Sequence, residues 1–126
     1  MTQRPGIKIK LQLYCADAIA MGPGKADLLD AIAREGSISG AARVMGMSYR
    51  RAWLLVDVMN RCWSGPLVET FPGSARGGGA KVSALGEAVL QHYRALQARL
   101  AGDTTCDDAR ALDALLRDAP LERQPE

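Results

Sequence analysis

The 126-residue chain is long enough for one domain with a hydrophobic core and too short for two comfortable domains. Hydrophobic residues make up 48% of it and charged residues 24%, which is the composition of a globular protein rather than of a disordered one. The net charge of +2 is unevenly divided, because residues 1–100 carry 13 Lys and Arg against 7 Asp and Glu, whereas residues 101–126 carry 3 against 7. The charges therefore predict a basic body that attracts polyanions, followed by an acidic tail.

Residue types that bind metals or perform catalysis are few and far apart. The chain has one histidine, His92, and three cysteines without a C-x-x-C pair, Cys15, Cys62 and Cys106. This spacing argues against a zinc site, and no serine or cysteine is recognisably paired with His92. We therefore predict no metal site, no catalytic residue and no enzymatic activity. No apolar run reaches the length of a membrane span, so we expect a cytoplasmic protein with reduced thiols and no membrane contact.

The first elements are predicted from hydrophobic periodicity. Apolar and polar residues alternate over Ile7–Leu13, the pattern of a half-buried strand. Gly22-Pro23-Gly24 then interrupts the chain, and Lys25–Glu35 places apolar residues at helical spacing. Gly36 is the residue type that commonly ends a helix. The pattern thus predicts an N-terminal strand followed by a first helix.

The next segment predicts two helices joined by a tight turn. Ser37 and Ser39 can both cap a short Ala-rich helix over Gly40–Met45, and Ser48 can cap a longer one from Tyr49 to about Cys62. A pair of helices with a glycine-containing turn between them is typical of a helix-turn-helix. Along the longer helix, one side is apolar and predicts the buried face: Ala52, Leu55, Val56, Met59 and Trp63. We also assign the remaining large apolar residues of this region to the core: Trp53, Met45 and Met47.

A glycine-rich loop, Pro72–Ser83, follows the β-prone segment Leu67–Phe71 and leads into a second one at Lys81–Ser83. Its glycines fit neither of two familiar nucleotide-binding patterns. Lys81 stands two positions too late for a P-loop, and Val82 replaces the third glycine of a dinucleotide fingerprint. Two strands with a basic tip directly after a helix-turn-helix are instead the layout of a winged helix. The alternative is a hairpin loop that is merely flexible.

A DNA-binding surface follows from this layout. The first turn of a recognition helix enters the major groove, and Arg50, which points away from the predicted core, is our first choice for contacting guanine. Arg51 lies on the flank, Ser48 offers the helix N-terminus to a phosphate, and Tyr49 can donate its hydroxyl. Further contacts to the DNA backbone are predicted from the preceding helix and the wing: Ser37, Ser39, Arg43, Arg76, Gly77, Gly78, Gly79 and Lys81. For Arg43, a solvated surface charge is an equal alternative.

The motifs Gly36–Arg43, Gly46–Trp53, Met59-Asn60, Leu67–Glu69 and Gly77–Ala80 closely resemble the N-terminal DNA-binding domain of the molybdate-responsive ModE regulators. The resemblance runs in order and spacing from about Ile7 to Tyr93. It implies a mainly α fold with a small β-sheet, namely a winged helix-turn-helix with an N-terminal strand and a long C-terminal dimerisation helix. It also implies a homodimer that binds a palindromic site in double-stranded DNA near genes for molybdenum uptake or use.

The last long helix, from Ala84 to about Leu100, carries an apolar stripe that fits the dimerisation helix of this family: Leu85, Val89, His92, Leu96 and Leu100. Alternatively, the stripe covers only the domain's own sheet. We predict a winged-helix domain with its dimerisation helix over residues 1–101, and an acidic tail with a short helix over residues 102–126.

The regulatory signal is left open by the resemblance. Members of the family usually carry C-terminal molybdate-binding domains, and we expect the acidic tail of this chain in their place. Molybdate therefore remains one candidate effector, and a separate effector-sensing protein is another; a constitutive DNA binder needs neither. The alternative function is a small molybdate- or tungstate-binding protein, or an adaptor, that reuses the winged-helix fold.

Overall fold

The structure is a computed structural model that describes residues 6–74 and 77–125, with side chains outside residues 73–78. Contacts divide it into two units, Lys10–Ala95 and the described residues outside that range. The elements follow the chain as β1 (Leu13–Cys15), β2 (Ala18–Met21), α1 (Pro23–Glu35), α2 (Ile38–Met45), α3 (Tyr49–Cys62), β3 (Val68–Ser74), β4 (Gly77–Val82), α4 (Ala84–Gly102), a 3-10 turn (Asp103–Thr105) and α5 (Asp107–Leu115). The fold is mainly α with two small antiparallel sheets, as predicted.

The N-terminal strand differs from its prediction. Residues 7–12 are not strand, and β1 begins at Leu13. It pairs with β2, which the sequence analysis did not predict, in a hairpin that aligns Cys15 with Ala18. The turn between them contains Ala16 at a φ of 52°, a left-handed conformation in which glycine or asparagine is usual. Because no glycine marks this turn, periodicity alone placed the strand too early.

The helix boundaries follow the capping residues. The Ser37 hydroxyl accepts the N–H of Gly40 at 2.9 Å and so starts α2. Ser39 is the second residue of α2 and its hydroxyl contacts that of Ser37 instead, so Ser37 alone is the cap. Gly36 and Gly46, with φ of 73° and 68°, end α1 and α2 in the left-handed conformation that L side chains rarely adopt. The predicted helix-turn-helix is therefore confirmed.

The core of the first unit lies between α1, α2, α3 and the wing strands, and its largest fully buried side chains are Met21, Leu28, Leu29, Ile32, Met59, Leu67 and Val68. The predicted apolar face of α3 is confirmed, since Ala52 and Val56 are buried with Met59 while Trp63 packs against them. The assignment of Trp53 to the core is wrong, because Trp53 is 47% exposed. One position after Ala52, it lies about 100° around the helix from the buried face.

The β3–β4 hairpin is longer than its prediction. Both strands continue into the glycine-rich segment, with Phe71 opposite Gly79 and Ser74 opposite Gly77. The Ala80 N–H donates to the Gly36 carbonyl at 2.9 Å, which ties β4 to the α1–α2 turn. The wing is thus attached at its base to the helix-turn-helix.

Helix α4 begins at a buried cap and contacts the N-terminal half of its unit. The Ser83 hydroxyl accepts the Gly86 N–H at 3.0 Å and donates to the Pro66 carbonyl at 2.7 Å. Further along, Arg94 contacts two carboxylates of α1, Asp27 at 2.8 Å and Asp30 at 2.7 Å. These contacts position α4 across α1 within the first unit.

The second unit contains the end of α4, the 3-10 turn and α5. The predicted short helix of the acidic tail is present as α5, which spans Asp107–Leu115. Ala109 is its buried residue, whereas Leu112 and Leu115 are largely exposed. Among the helices that the structure describes, none is long and apolar enough to cross a membrane.

Candidate DNA-binding surface

The first turn of α3 presents the predicted recognition residues to solvent. The Ser48 hydroxyl accepts the Arg51 N–H at 3.1 Å, so Ser48 is the predicted cap. Tyr49, Arg50 and Arg51 are all exposed. Their backbone N–H groups lie in the first turn, where the positive end of the helix dipole favours an anion. The Ser48 cap thus starts α3 directly before the two consecutive arginines, Arg50 and Arg51.

Arg50 and Arg51 point into different concavities. Arg50 lines a shallow open pocket of about 300 Å³ together with Tyr49 and Trp53. Tyr49 and Trp53 are four residues apart, so both lie on the same helical face as neighbours. Sequence analysis missed Trp53 as a surface residue, although its position one residue after the buried Ala52 was the available signal. This pocket combines a guanidinium with two aromatic rings, a suitable surface for base edges and thymine methyl groups.

Arg51 lines a second groove, of about 250 Å³, that sequence analysis did not predict. Lys10 and Lys25 line it as well, from the segment before β1 and from the first turn of α1. Partial burial lowers the pKa of Lys25 below its ordinary value of 10.5, and the positive charge of Arg51 acts in the same direction. Three cations thus share one concave surface beside α3.

The predicted backbone-contacting residues of α2 have different surroundings. Arg43 is exposed in the last turn of α2, while Ser39 is exposed in its first turn. The Ser37 hydroxyl already binds the Gly40 N–H as a cap, so it can offer a phosphate only its remaining hydrogen-bonding capacity. DNA contacts by all three remain predictions.

Only some of the predicted wing residues lie in the part of the chain that the structure describes. Arg76 lies outside the described residues. Gly77, Gly78 and Gly79 belong to β4 rather than to a loop, and two of them pair with β3, Gly79 with Phe71 and Gly77 with Ser74. Lys81 is exposed on β4, and its Nζ lies 5.6 Å from the centre of the Phe71 ring, within cation–π range. The described part of the wing therefore exposes one cation held over an aromatic ring.

The predicted dimerisation stripe on α4 is only partly free. Leu85 and Val89 pack against the core of their own unit, as the alternative interpretation of the stripe requires. His92 is exposed, Leu96 is 41% exposed and Leu100 is half-buried. The C-terminal part of the stripe is thus the part with apolar surface left for a partner.

Over the residues that the structure describes, no group of three or more acidic, cysteine or histidine side chains is placed to hold a metal ion. Around the start of α3, by contrast, Tyr49, Arg50, Arg51 and Trp53 are all exposed.

These features define a winged helix-turn-helix protein: two capped helices with a glycine turn, followed by a β-hairpin tied to their base. No family model matches the chain. Among curated proteins it is 41% identical over 100 residues to the molybdenum-pterin-binding protein MopA of Rhodobacter capsulatus. The matched region covers 79% of this chain and 37% of that relative. It is 35% identical over 112 residues to the DNA-binding transcriptional dual regulator ModE of Escherichia coli K12, covering 86% of this chain and 43% of the relative.

A third relative, the molybdenum transport protein ModE of Azotobacter vinelandii, is 41% identical over 78 residues, or 62% of this chain and 29% of the relative. The chain is therefore a homologue of the ModE family, which confirms the resemblance stated from its motifs. It spans less than half the length of the curated relatives that it matches.

Proposed function

We propose that the protein is a sequence-specific DNA-binding transcriptional regulator of molybdenum-related genes that acts as a homodimer. The observation that carries this proposal is the start of α3, where the Ser48 cap sets Arg50 on an exposed surface beside Tyr49 and Trp53. The names of its relatives, among them a DNA-binding transcriptional regulator and a molybdenum transport protein, support the same class and the same genes.

In this proposal the two parts of the surface have different tasks. Arg50 forms paired hydrogen bonds with O6 and N7 of a guanine, a contact worth about 1–3 kcal/mol of discrimination. The wing, through Lys81 and the predicted Arg76, contacts phosphates, which adds affinity without sequence preference. Base choice therefore depends on Arg50, and the wing contributes to the salt-dependent part of the affinity.

The test is selection of bound sequences from random duplex DNA, with and without molybdate, followed by affinity measurements for Arg50→Ala. We expect the variant to lose preference at one position of the selected site while keeping its affinity for unrelated DNA. Arg61→Ala is the matched control, because Arg61 lies at the far end of α3 and pairs with Asp57 at 3.1 Å. Equal base preferences for wild type and Arg50→Ala would reject this assignment.

The homodimer is tested by analytical ultracentrifugation of the full chain. Leu96→Lys places a charge on the exposed part of the α4 stripe and should convert a dimer into a monomer. Leu112→Lys is the control, since Leu112 is 62% exposed on α5, outside the stripe. A wild-type chain that sediments as a monomer at all concentrations would contradict the homodimer.

The second candidate is a small oxyanion-binding or adaptor protein, favoured by the relatives named molybdenum-pterin-binding proteins. Calorimetric titration with molybdate separates the two. Micromolar molybdate binding without affinity for any duplex would favour the oxyanion-binding protein over the DNA-binding regulator.

A further inference from the structure

A basic groove lies beside the recognition helix and is built by three separate segments of the first unit. Lys10 precedes β1, Lys25 is in the first turn of α1, and Arg51 is in the first turn of α3. The floor and walls include the Gly22-Pro23-Gly24 turn and the aliphatic side chains of Met47 and Leu55. Its volume of about 250 Å³ is below the range of roughly 300–1,000 Å³ typical of small-molecule pockets.

The positive charge of this basic groove is not neutralised by its surroundings. None of the described residues that line it carries a carboxylate. Within residues 6–74 and 77–125, none of Lys10, Lys25 and Arg51 pairs with a carboxylate. The first turn of α1 has no acidic residue and no side-chain cap, although acidic groups are favoured at a helix N-terminus. The groove therefore favours an anion.

We propose that the basic groove binds a phosphate of the DNA backbone, held by Lys10, Lys25 and Arg51. The proposal rests on the proposed function, and its basis is the continuity of the groove with the recognition surface. Arg51 belongs to both the groove and the first turn of α3, whereas its neighbour Arg50 lines the separate pocket with Tyr49 and Trp53. When Arg50 contacts a base edge, the polyanion nearest to Arg51 is the adjoining sugar–phosphate backbone of the DNA.

This arrangement divides the recognition helix between two kinds of contact. Arg50 reads bases, and Arg51 joins two lysines from other segments in gripping the backbone. A phosphate contact fixes the register of the helix on the duplex but carries no base information. The basic groove thus sets the position from which Arg50 reads.

The experiment measures duplex affinity of the full chain against salt concentration, using a selected site and an unrelated duplex. Lys25→Ala and Arg51→Ala should each reduce the slope of log affinity against log salt by about 0.9. Each should weaken both duplexes to the same extent, by about tenfold at 0.1 M salt, and leave the base preference unchanged. Lys25→Arg keeps the charge and should restore the wild-type slope.

Arg34→Ala removes the same charge from the other end of α1, where Arg34 is exposed, and should leave the slope at its wild-type value. Thermal unfolding of each variant verifies its fold. Should Lys25→Ala fail to fold, Lys10→Ala gives the same test from an exposed residue.

Unchanged slopes for Lys25→Ala and Arg51→Ala, with Arg50→Ala still altering base preference, would overturn this assignment and leave the proposed function intact. A wild-type chain that binds no duplex would overturn the proposed function as well. In a separate arm, inorganic phosphate and molybdate are titrated calorimetrically into wild type and Lys25→Ala. Binding of a free anion that depends on Lys25, without a change in DNA slope, would assign the groove to a small anion instead.

Discussion

Asn60 on α3 binds the backbone of Val68 at the start of β3 through both ends of its amide. Its Nδ2 donates to the Val68 carbonyl at 3.0 Å, and its Oδ1 accepts the Val68 N–H at 3.0 Å. The same Oδ1 accepts the Leu67 N–H at 2.9 Å. One side chain of α3 thereby fixes the strand from which the wing begins. The mutual placement of helix and wing depends on this residue.

Asn60→Ala should destabilise the protein strongly. The substitution leaves two N–H groups and one carbonyl of the buried Leu67-Val68 segment without these partners, so we expect a loss of about 2–4 kcal/mol in the free energy of unfolding. Chemical denaturation measures it. The neighbouring Arg61→Ala removes only an exposed ion pair and should change stability by at most about 0.5 kcal/mol. A similar small change for Asn60→Ala would contradict the proposed role of the amide.

Gly86→Ala should disrupt the contact between α4 and the wing. A methyl group at Gly86 would overlap the carbonyl oxygen of Leu67 and press against the side chain of Val82. Because the Leu67 carbonyl also accepts the Ser83 N–H at 2.8 Å, the strand cannot move away without losing that bond. We expect destabilisation of about 1–3 kcal/mol.

The control for Gly86 is Gly102→Ala at the end of the same helix. Apart from its chain neighbours and the backbone of its own helix, no described atom lies within 4 Å of a methyl group there, and the backbone is helical with a φ of −63°. Replacing this glycine should stabilise by up to about 1 kcal/mol. Opposite signs for the two variants in thermal unfolding would support the close packing at Gly86, and equal effects would refute it.

The helix boundaries were predictable because each depends on a local residue type. Ser37 and Ser48 cap as expected, and Gly36 and Gly46 end their helices in left-handed conformations. The β1–β2 hairpin was not predictable by the same means. Its turn has Ala16 in a left-handed conformation, which the residue type does not predict.

The residues that α3 contributes to the candidate site were predictable from the sequence, but those from other segments were not. Capping and helical spacing place Arg50 and Arg51 on an exposed first turn, but a linear pattern cannot show that Lys10 and Lys25 meet Arg51 in one groove. The assignment of Trp53 to the core was wrong for another reason. Large apolar residues near a buried face are usually part of the core, and Trp53 is an exception. Its 47% exposure follows from helix geometry and was therefore available from the sequence.

Tyr93→Phe should reduce stability and change its dependence on alkaline pH. The Tyr93 hydroxyl donates to the Leu11 carbonyl at 2.8 Å, and its loss should cost about 1–2 kcal/mol. Burial raises the pKa of Tyr93 above its ordinary value of 10.0. The unfolded chain therefore ionises first, and the stability due to this group is present below pH 10.0 and is lost as the pH rises through the folded pKa.

Urea unfolding of wild type and Tyr93→Phe between neutral and alkaline pH measures this difference. We expect the free-energy gap between the two proteins to narrow above pH 10.0. Tyr14→Phe is the control, and because Tyr14 is 61% exposed the variant should have nearly the stability of wild type. A gap that stays constant through the alkaline range would show that the Tyr93 hydroxyl ionises equally in both states.

Cys62 should be the least reactive of the three thiols. Burial raises the pKa of Cys62, and a hydrogen bond with Cys15 raises it further, so its thiolate fraction near neutral pH is small. Cys15 and Cys106 are exposed. Alkylation with iodoacetamide at pH 8, followed by peptide mass spectrometry, should therefore modify Cys106 well before Cys62. Cys15→Ala removes the hydrogen bond, lowers the pKa of Cys62 and should accelerate its alkylation, while Cys106 keeps its rate. Equal rates for Cys62 and Cys106 in the wild-type protein would contradict this description of the end of α3.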